Sequence, residues 1–245
     1  MTTTRLTVIG IFFIAWEVLV QSLQIPRYLL PSPSDIVVRA VIELQSPQIW
    51  HHIAATTSVA LLGVVMAYIL GACLGWIVYQ FPYVNAALQW FFTASQSIPI
   101  LAIAPLILIW VNDVFWARTV VATLITFFPV FSATYTGLNL IQLDLREVAV
   151  LFGATRGQQL WFIELPLALP VMFSGLRTSI VLATTGAVVG EYLGGRDGLG
   201  ALINIARGLF DTPLVFLAIF CLIIITLSLT TLLTFIERLV LRAVL

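Results

Sequence analysis

Apolar residues do not alternate with polar ones along this chain; they run together. About six apolar stretches emerge, each near the roughly 20 residues a helix needs to cross about 30 Å of hydrocarbon, divided by short polar or proline-rich segments. The first runs from Leu6 to Leu23 and stops at "IPRYLLPSPSD", whose prolines end a helix. The period then changes. In "DIVVRAVIEL", Ile36, Val37, Ala40, Val41 and Leu44 share one helical face, with Arg39 and Glu43 opposite. That pattern predicts a helix capped by Ser34 or Asp35 and lying on the membrane surface.

The second span is predicted over Ile53–Tyr79. Gly71 and Gly75 stand four residues apart in it, the spacing that lets two helix backbones approach closely, although glycine is also common filler in membrane helices. The third, Val84–Val111, carries Pro99 and Pro105, with Gln96 and Ser97 beside the first break. Carbonyls freed by proline are tolerated in a membrane only against protein or a water-filled cavity, which places this helix away from the lipid-facing rim. The fourth span, Thr119–Leu140, contains Pro129, and the fifth covers Leu167–Leu193. Between the fifth and the sixth lies "GEYLGGRDGLGALINIARGLFDTP", whose glycines suit turns and whose "ALINIARGLF" suits a short surface helix. The sixth, Leu214–Val240, opens on the start signal Asp211–Thr212–Pro213 and ends near Glu237, Arg238 and Arg242.

Composition agrees with an all-α membrane protein: 61% of the residues are hydrophobic and 9% charged, against about 25% charged in soluble domains. The net charge of zero offers no basic face to nucleic acid. Cys73 and Cys221 lie singly in apolar runs and read as small packing residues. Arg5 before an apolar run imitates a signal peptide, but no A-x-A cleavage site follows, so a retained first span is expected. No lysine occurs, which removes both the phosphate-binding loop of an ATPase and Schiff-base chemistry. HExxH and GxSxG are absent, and the adjacent His51 and His52 diverge by about 100° on a helix; beside Trp50 they suit a membrane interface better than a metal. Ionisable groups at membrane depth face a pathway or a partner. Glu17, Arg177 and Glu191 are the ones here, and a Glu17–Arg177 structural pair is expected over a proton relay. An even number of spans puts both termini on one side. Arg5, Arg146, Arg156, Arg238 and Arg242 then oppose Arg27, Arg39, Arg118, Arg196 and Arg207, so the positive-inside rule leaves the orientation open.

One segment does not fit a membrane span: "DLREVAVLFGATRGQQLWFIELP". It predicts a short helix stopped by Gly153, a second over Thr155–Phe162, and a proline-led start to the fifth span. Val148, Leu151 and Phe152, rimmed by Arg146, Glu147 and Arg156, either dock on another protein or rest on the membrane interface.

The spacing Glu147, Ala149, Gly153, Ile163, Leu165 and Pro166 resembles the EAA motif of ABC importer permeases, E-A-A-x3-G-x9-I-x-L-P, departing only at Val148. "LLPSPSDIV", "QSIPILAIAPLILIW" and "GEYLGGRDGLG…FDTPLVFLAI" resemble the nitrate/sulfonate/taurine branch, so the likeness covers nearly the whole chain. It implies a type I ABC importer permease fold of about six transmembrane helices in a bacterial inner membrane, with both termini cytoplasmic. Residues 1–52 would hold the first transmembrane helix and the interfacial segment, and residues 53–245 the core permease domain with a coupling loop at 144–166. The resemblance assigns Arg146, Glu147, Ala149, Leu151, Phe152, Gly153, Ala154, Arg156, Leu165 and Pro166 to an interface with an ATPase subunit. Gln96, Ser97, Pro99, Glu191 and Tyr192 are the residues expected along the translocation path. The implied partners are a second permease copy, two ATPase subunits that bind the ATP, an extracytoplasmic solute-binding protein and the lipid bilayer. This chain itself would need no cofactor. The branch handles nitrate, sulfonates, bicarbonate, thiamine-precursor pyrimidines and riboflavin. An organic solute is favoured, because no arginine cluster awaits a small inorganic anion. An ion-coupled secondary transporter would also explain broken helices, but it leaves the Gly153 segment without a purpose.

Overall fold

The computed structural model describes residues 2–81, 97–141 and 143–244. Among them every regular element is a helix: α1 (Thr2–Ser22), α2 (Pro33–Leu44), α3 (Pro47–Gln80), α4 (Ile100–Trp110), α5 (Val114–Asn139), α6 (Leu143–Leu151), α7 (Arg156–Gln159), a π-helical turn (Leu160–Glu164), α8 (Leu165–Gly194), α9 (Leu199–Gly208) and α10 (Thr212–Val244). Four stretches are long and apolar enough to span a membrane: α3, α5, Arg156–Gly194 and α10; shorter apolar helices cover Thr7–Ser22 and Ile100–Trp110. The first part of the expected third span, Gln96 included, lies outside the described residues.

The caps show why the helices begin where they do. Ser32, not Ser34 or Asp35, caps α2: its hydroxyl accepts from Asp35 N, the Asp35 carboxylate accepts from Ser32 N, and Pro33 holds the first helical position. This reciprocal pairing satisfies two otherwise orphaned donors. Ser46, whose hydroxyl accepts from Gln48 N, and Pro47 at the first helical position start α3, so the second span begins at Pro47 rather than Ile53. Trp50, His51 and His52 therefore sit on its first turns, and the helix runs unbroken through residues 52 and 53. Asp211 caps α10 as the pattern predicts, accepting from Leu214 N at 3.2 Å. Its other oxygen pairs with Arg39 at 2.8 Å, while Arg39 also meets Glu43 at 2.9 Å, fastening α2 to the start of α10.

Helix α5 is central, with α3 and α8 packed along it. The glycine spacing in α3 serves this contact. A Cβ on Gly71 would lie 3.0 Å from Phe127 O and Phe131 N, and one on Gly75 would lie 3.0 Å from Phe131 O. Lipid tails are as apolar as the side chains, so close backbone approach and dispersion, rather than escape from water, hold such helices together. Small residues fill the seam, among them Ala60, Ala122, Ala183 and Ala187, and Ser179 Oγ donates to Thr126 O at 3.1 Å across it. The outer face of α1 presents Val8, Ile11, Phe12 and Ile14, all exposed.

The expected Glu17–Arg177 pair does not form. Glu17 accepts from Ser34 N (3.0 Å) and Ser34 Oγ (2.7 Å), because the free donors at the α2 N-terminus stand beside it. Arg177 pairs with Glu237, tying α8 to α10.

Candidate functional site

Helix α6 ends as its sequence predicts. Gly153 has φ +78°; its N–H donates to Val150 O (2.9 Å) and Ala154 N–H reaches back to Ala149 O (3.0 Å). These are the two bonds of a Schellman stop, which needs a residue tolerant of the left-handed region. The turn leaves Leu151 84% and Phe152 88% exposed. No larger apolar side chains protrude so far from this part of the chain, and they sit side by side at the helix tip. Val148, Val150 and Glu147 are exposed on the same helix, whereas Ala149 points inward and is buried. Arg146, Glu147, Leu151, Ala154 and Arg156 surround one open cleft together with Gln159.

Beyond Gly153 the structure differs from the expected pair of separate helices. Thr155 caps α7 through a capping box with Gln158, and the helix then continues through Leu160–Glu164 into α8. Pro166 has no N–H and would clash in an ordinary α-helical turn. The chain accommodates it by widening the turn before it: Leu165 N bonds to Leu160 O, five residues back. Such π turns are uncommon and concentrate at functional sites. Leu165 and Pro166 thus lie within the continuous helix, partly buried, rather than at the exposed tip.

The turn also places a group that sequence reading missed. Glu164 is 4% exposed. Tyr79 Oη donates to its Oε1 at 3.0 Å, and Arg146 Nε lies 3.3 Å from the same oxygen. Arg146 Nη2 donates to Leu138 O at 2.9 Å, a carbonyl in the last turn of α5, and its guanidinium carbon stands 4.9 Å from the centre of the Tyr79 ring. The signal in the sequence was a lone acid at the border of an apolar run, within reach of an arginine in the same segment.

At the opposite end of α8, Glu191 is fully buried. Its Oε2 accepts from Thr56 Oγ1 and Gly200 N, both at 2.9 Å. Thr56 Oγ1 in turn accepts from Leu199 N at 2.8 Å, and His52 Nδ1 from Gly198 N at 3.0 Å. Arg118, 5% exposed, donates to Asp197 O at 2.9 Å, and His51 Nε2 lies 3.3 Å from Asp197 Oδ1. The glycine-rich connection is therefore pinned to α3 and α5 by buried polar groups. Tyr192 is partly buried, with Arg207 over its ring at 5.5 Å. Ser97 and Pro99 are exposed ahead of α4. Gln96, also expected along a path, lies outside the described residues. Among the described residues no three metal-ligating side chains converge.

Comparison with known proteins gives this geometry its setting. The family model for the binding-protein-dependent transport system inner membrane component matches residues 61–245. Over 232 residues the chain is 45% identical to the riboflavin transport system permease protein RibX of Chloroflexus aurantiacus, covering 95% of this chain and 87% of that one. It is 35% identical over 209 residues to the formylaminopyrimidine transport permease protein ThiX of Halalkalibacterium halodurans, covering 85% and 83% respectively. Among solved structures, an inward-facing MetNI methionine ABC transporter chain aligns with a TM-score of 0.62 at 19% identity, covering 82% of this chain and 99% of that one. That likeness shows the fold, the all-α architecture of type I importer permeases. The chain belongs to the binding-protein-dependent inner membrane components: it is a multi-pass permease subunit of an ABC importer of the bacterial inner membrane.

Proposed function

We propose that two copies of this chain form the translocation pathway, and that each docks on a cytoplasmic ATPase subunit through α6. The observation that carries the reading is the pair Leu151 and Phe152, 84% and 88% exposed at the tip of a helix closed by a rigid stop. Two large apolar side chains on a polar-rimmed tip fit the central anchors of a protein interface, and Glu147 and Arg156 would supply its charged rim. This orientation puts both termini in the cytoplasm. ATP is bound and hydrolysed by the partner, in keeping with a chain that has no lysine for a phosphate loop. An extracytoplasmic binding protein delivers the solute at the other end, near Tyr192, while Ser97 and Pro99, ahead of α4, lie about one helix length deeper along the path. Glu191 holds the glycine-rich connection in place there. The solute is an organic nitrogen heterocycle, with riboflavin the first to test; the 45% identity to a riboflavin permease and the 35% identity to a formylaminopyrimidine permease support that class.

The test is purification of the solubilised chain from its native membrane with identification of the co-purifying proteins. An ATPase subunit is expected, and its retention should fall when Leu151 and Phe152 are both changed to alanine. Recovery of the chain alone overturns the docking reading. A co-purifying binding protein is then titrated with riboflavin, and no binding at micromolar concentration overturns the solute assignment.

A further inference from the structure

Force applied to α6 has few routes into the spans. Among the described side chains of α6 only Ala149 is buried, and among the described residues the helix makes no extended contact along another helix. Among the described residues Arg146 fastens it laterally. One guanidinium meets the end of α5 through Leu138 O, the end of α3 through the Tyr79 ring, and the π turn before α8 through Glu164. Tyr79 closes the set by its own bond to Glu164.

From this arrangement we infer that the Arg146–Glu164–Tyr79 cluster is the relay by which movement of the docked α6 reaches α3, α5 and α8. The inference rests on the docking reading above. A guanidinium is a rigid planar fork, so its contacts keep their relative directions when the helix moves. Glu164 is buried, and separating it from its cation would leave an uncompensated charge; the pair therefore travels together. It acts at the one place where the helix into α8 is already wound five residues apart, and where a change of winding is easiest. Glu164 and Tyr79 act through Arg146 and the helices it joins; they are positioning residues for transport.

The experiment uses the whole complex, chain with ATPase and binding protein, in proteoliposomes. Cys73 and Cys221 are replaced, and Leu193→Cys carries a spin label on each permease copy. The distance between labels is read before and after trapping with ATP and vanadate, which requires no knowledge of the solute. The wild type is expected to show a shift on trapping. Glu164→Gln, which keeps the size and the acceptor for Tyr79 but removes the charge, should assemble and hydrolyse ATP within twofold of wild type while losing at least half of that shift. Tyr79→Phe, which removes one bond only, should fall between. A full shift in Glu164→Gln overturns the relay, as does failure of both variants to assemble, since the cluster then serves folding alone. A wild-type chain that retains no ATPase overturns the docking reading and the relay with it.

Discussion

Replacing Gly198 by alanine should unsettle the fold far more than the same change at Gly153, although both glycines have positive φ. Gly198 caps α9 at φ +103° and ψ 160°, a region that only glycine visits readily and that costs another residue about 1–3 kcal/mol. An added Cβ would also lie 2.1 Å from Glu191 Cδ and 2.4 Å from each of its oxygens. The carboxylate must withdraw, and Thr56 Oγ1 and Gly200 N then lose their acceptor inside the protein. Each unsatisfied buried donor costs about 1–3 kcal/mol. The sum is about 3–9 kcal/mol, a large part of the roughly 5–15 kcal/mol that holds a folded protein. At about 2–4 °C per kcal/mol for a chain of this size, the apparent Tm should fall by at least ~6 °C. At Gly153 nothing lies within 4 Å of an added Cβ, so alanine meets backbone strain alone, about 1–2 kcal/mol. The assay is thermal unfolding of both variants in one detergent at one scan rate. A Gly198→Ala protein within about 2 °C of wild type, or no less stable than Gly153→Ala, would refute the reasoning.

Two further predictions separate docking from stability and pairing from burial. Leu151→Ala with Phe152→Ala removes side chains that touch little of this chain, so the Tm should stay within the shift of about 0.5 kcal/mol usual for surface changes. ATPase retention should meanwhile weaken by roughly 30-fold or more per lost anchor of about 2 kcal/mol, read as dissociation in a titrated pull-down. Arg177→Leu alone should lower the Tm more than the double change Arg177→Leu with Glu237→Leu, because the single change strands a carboxylate on a membrane helix. Equal losses in the two proteins would mean that the pair is solvated rather than mutually dependent.

The sequence by itself determined whatever depends on near neighbours. Apolar run length set the four long spans, because the thickness of hydrocarbon does not vary along the chain. Gly153 set the end of α6, because the left-handed turn is a property of one residue. Asp211 set the start of α10, and the spacing from Glu147 to Pro166 marked the segment that sets this family apart. Even locally some competitions were close: Ser32 displaced Ser34 and Asp35 as a cap once Pro33 took the first helical position, and Pro166 widened the helix instead of interrupting it. What only the tertiary structure decided were the partners of buried charge. Arg177 could pair with Glu17 or Glu237 on sequence grounds, and the packing of α8 on α10 chose between them. Glu164 read as one more polar residue in a polar segment until Tyr79 and Arg146 closed on it. Glu191 stood alone in its apolar run until the fold brought Thr56 and Gly200 to its carboxylate. An ionisable group is kept in an apolar interior by whichever counter-group the fold brings to it. That group is far away along the chain, and no local period announces it.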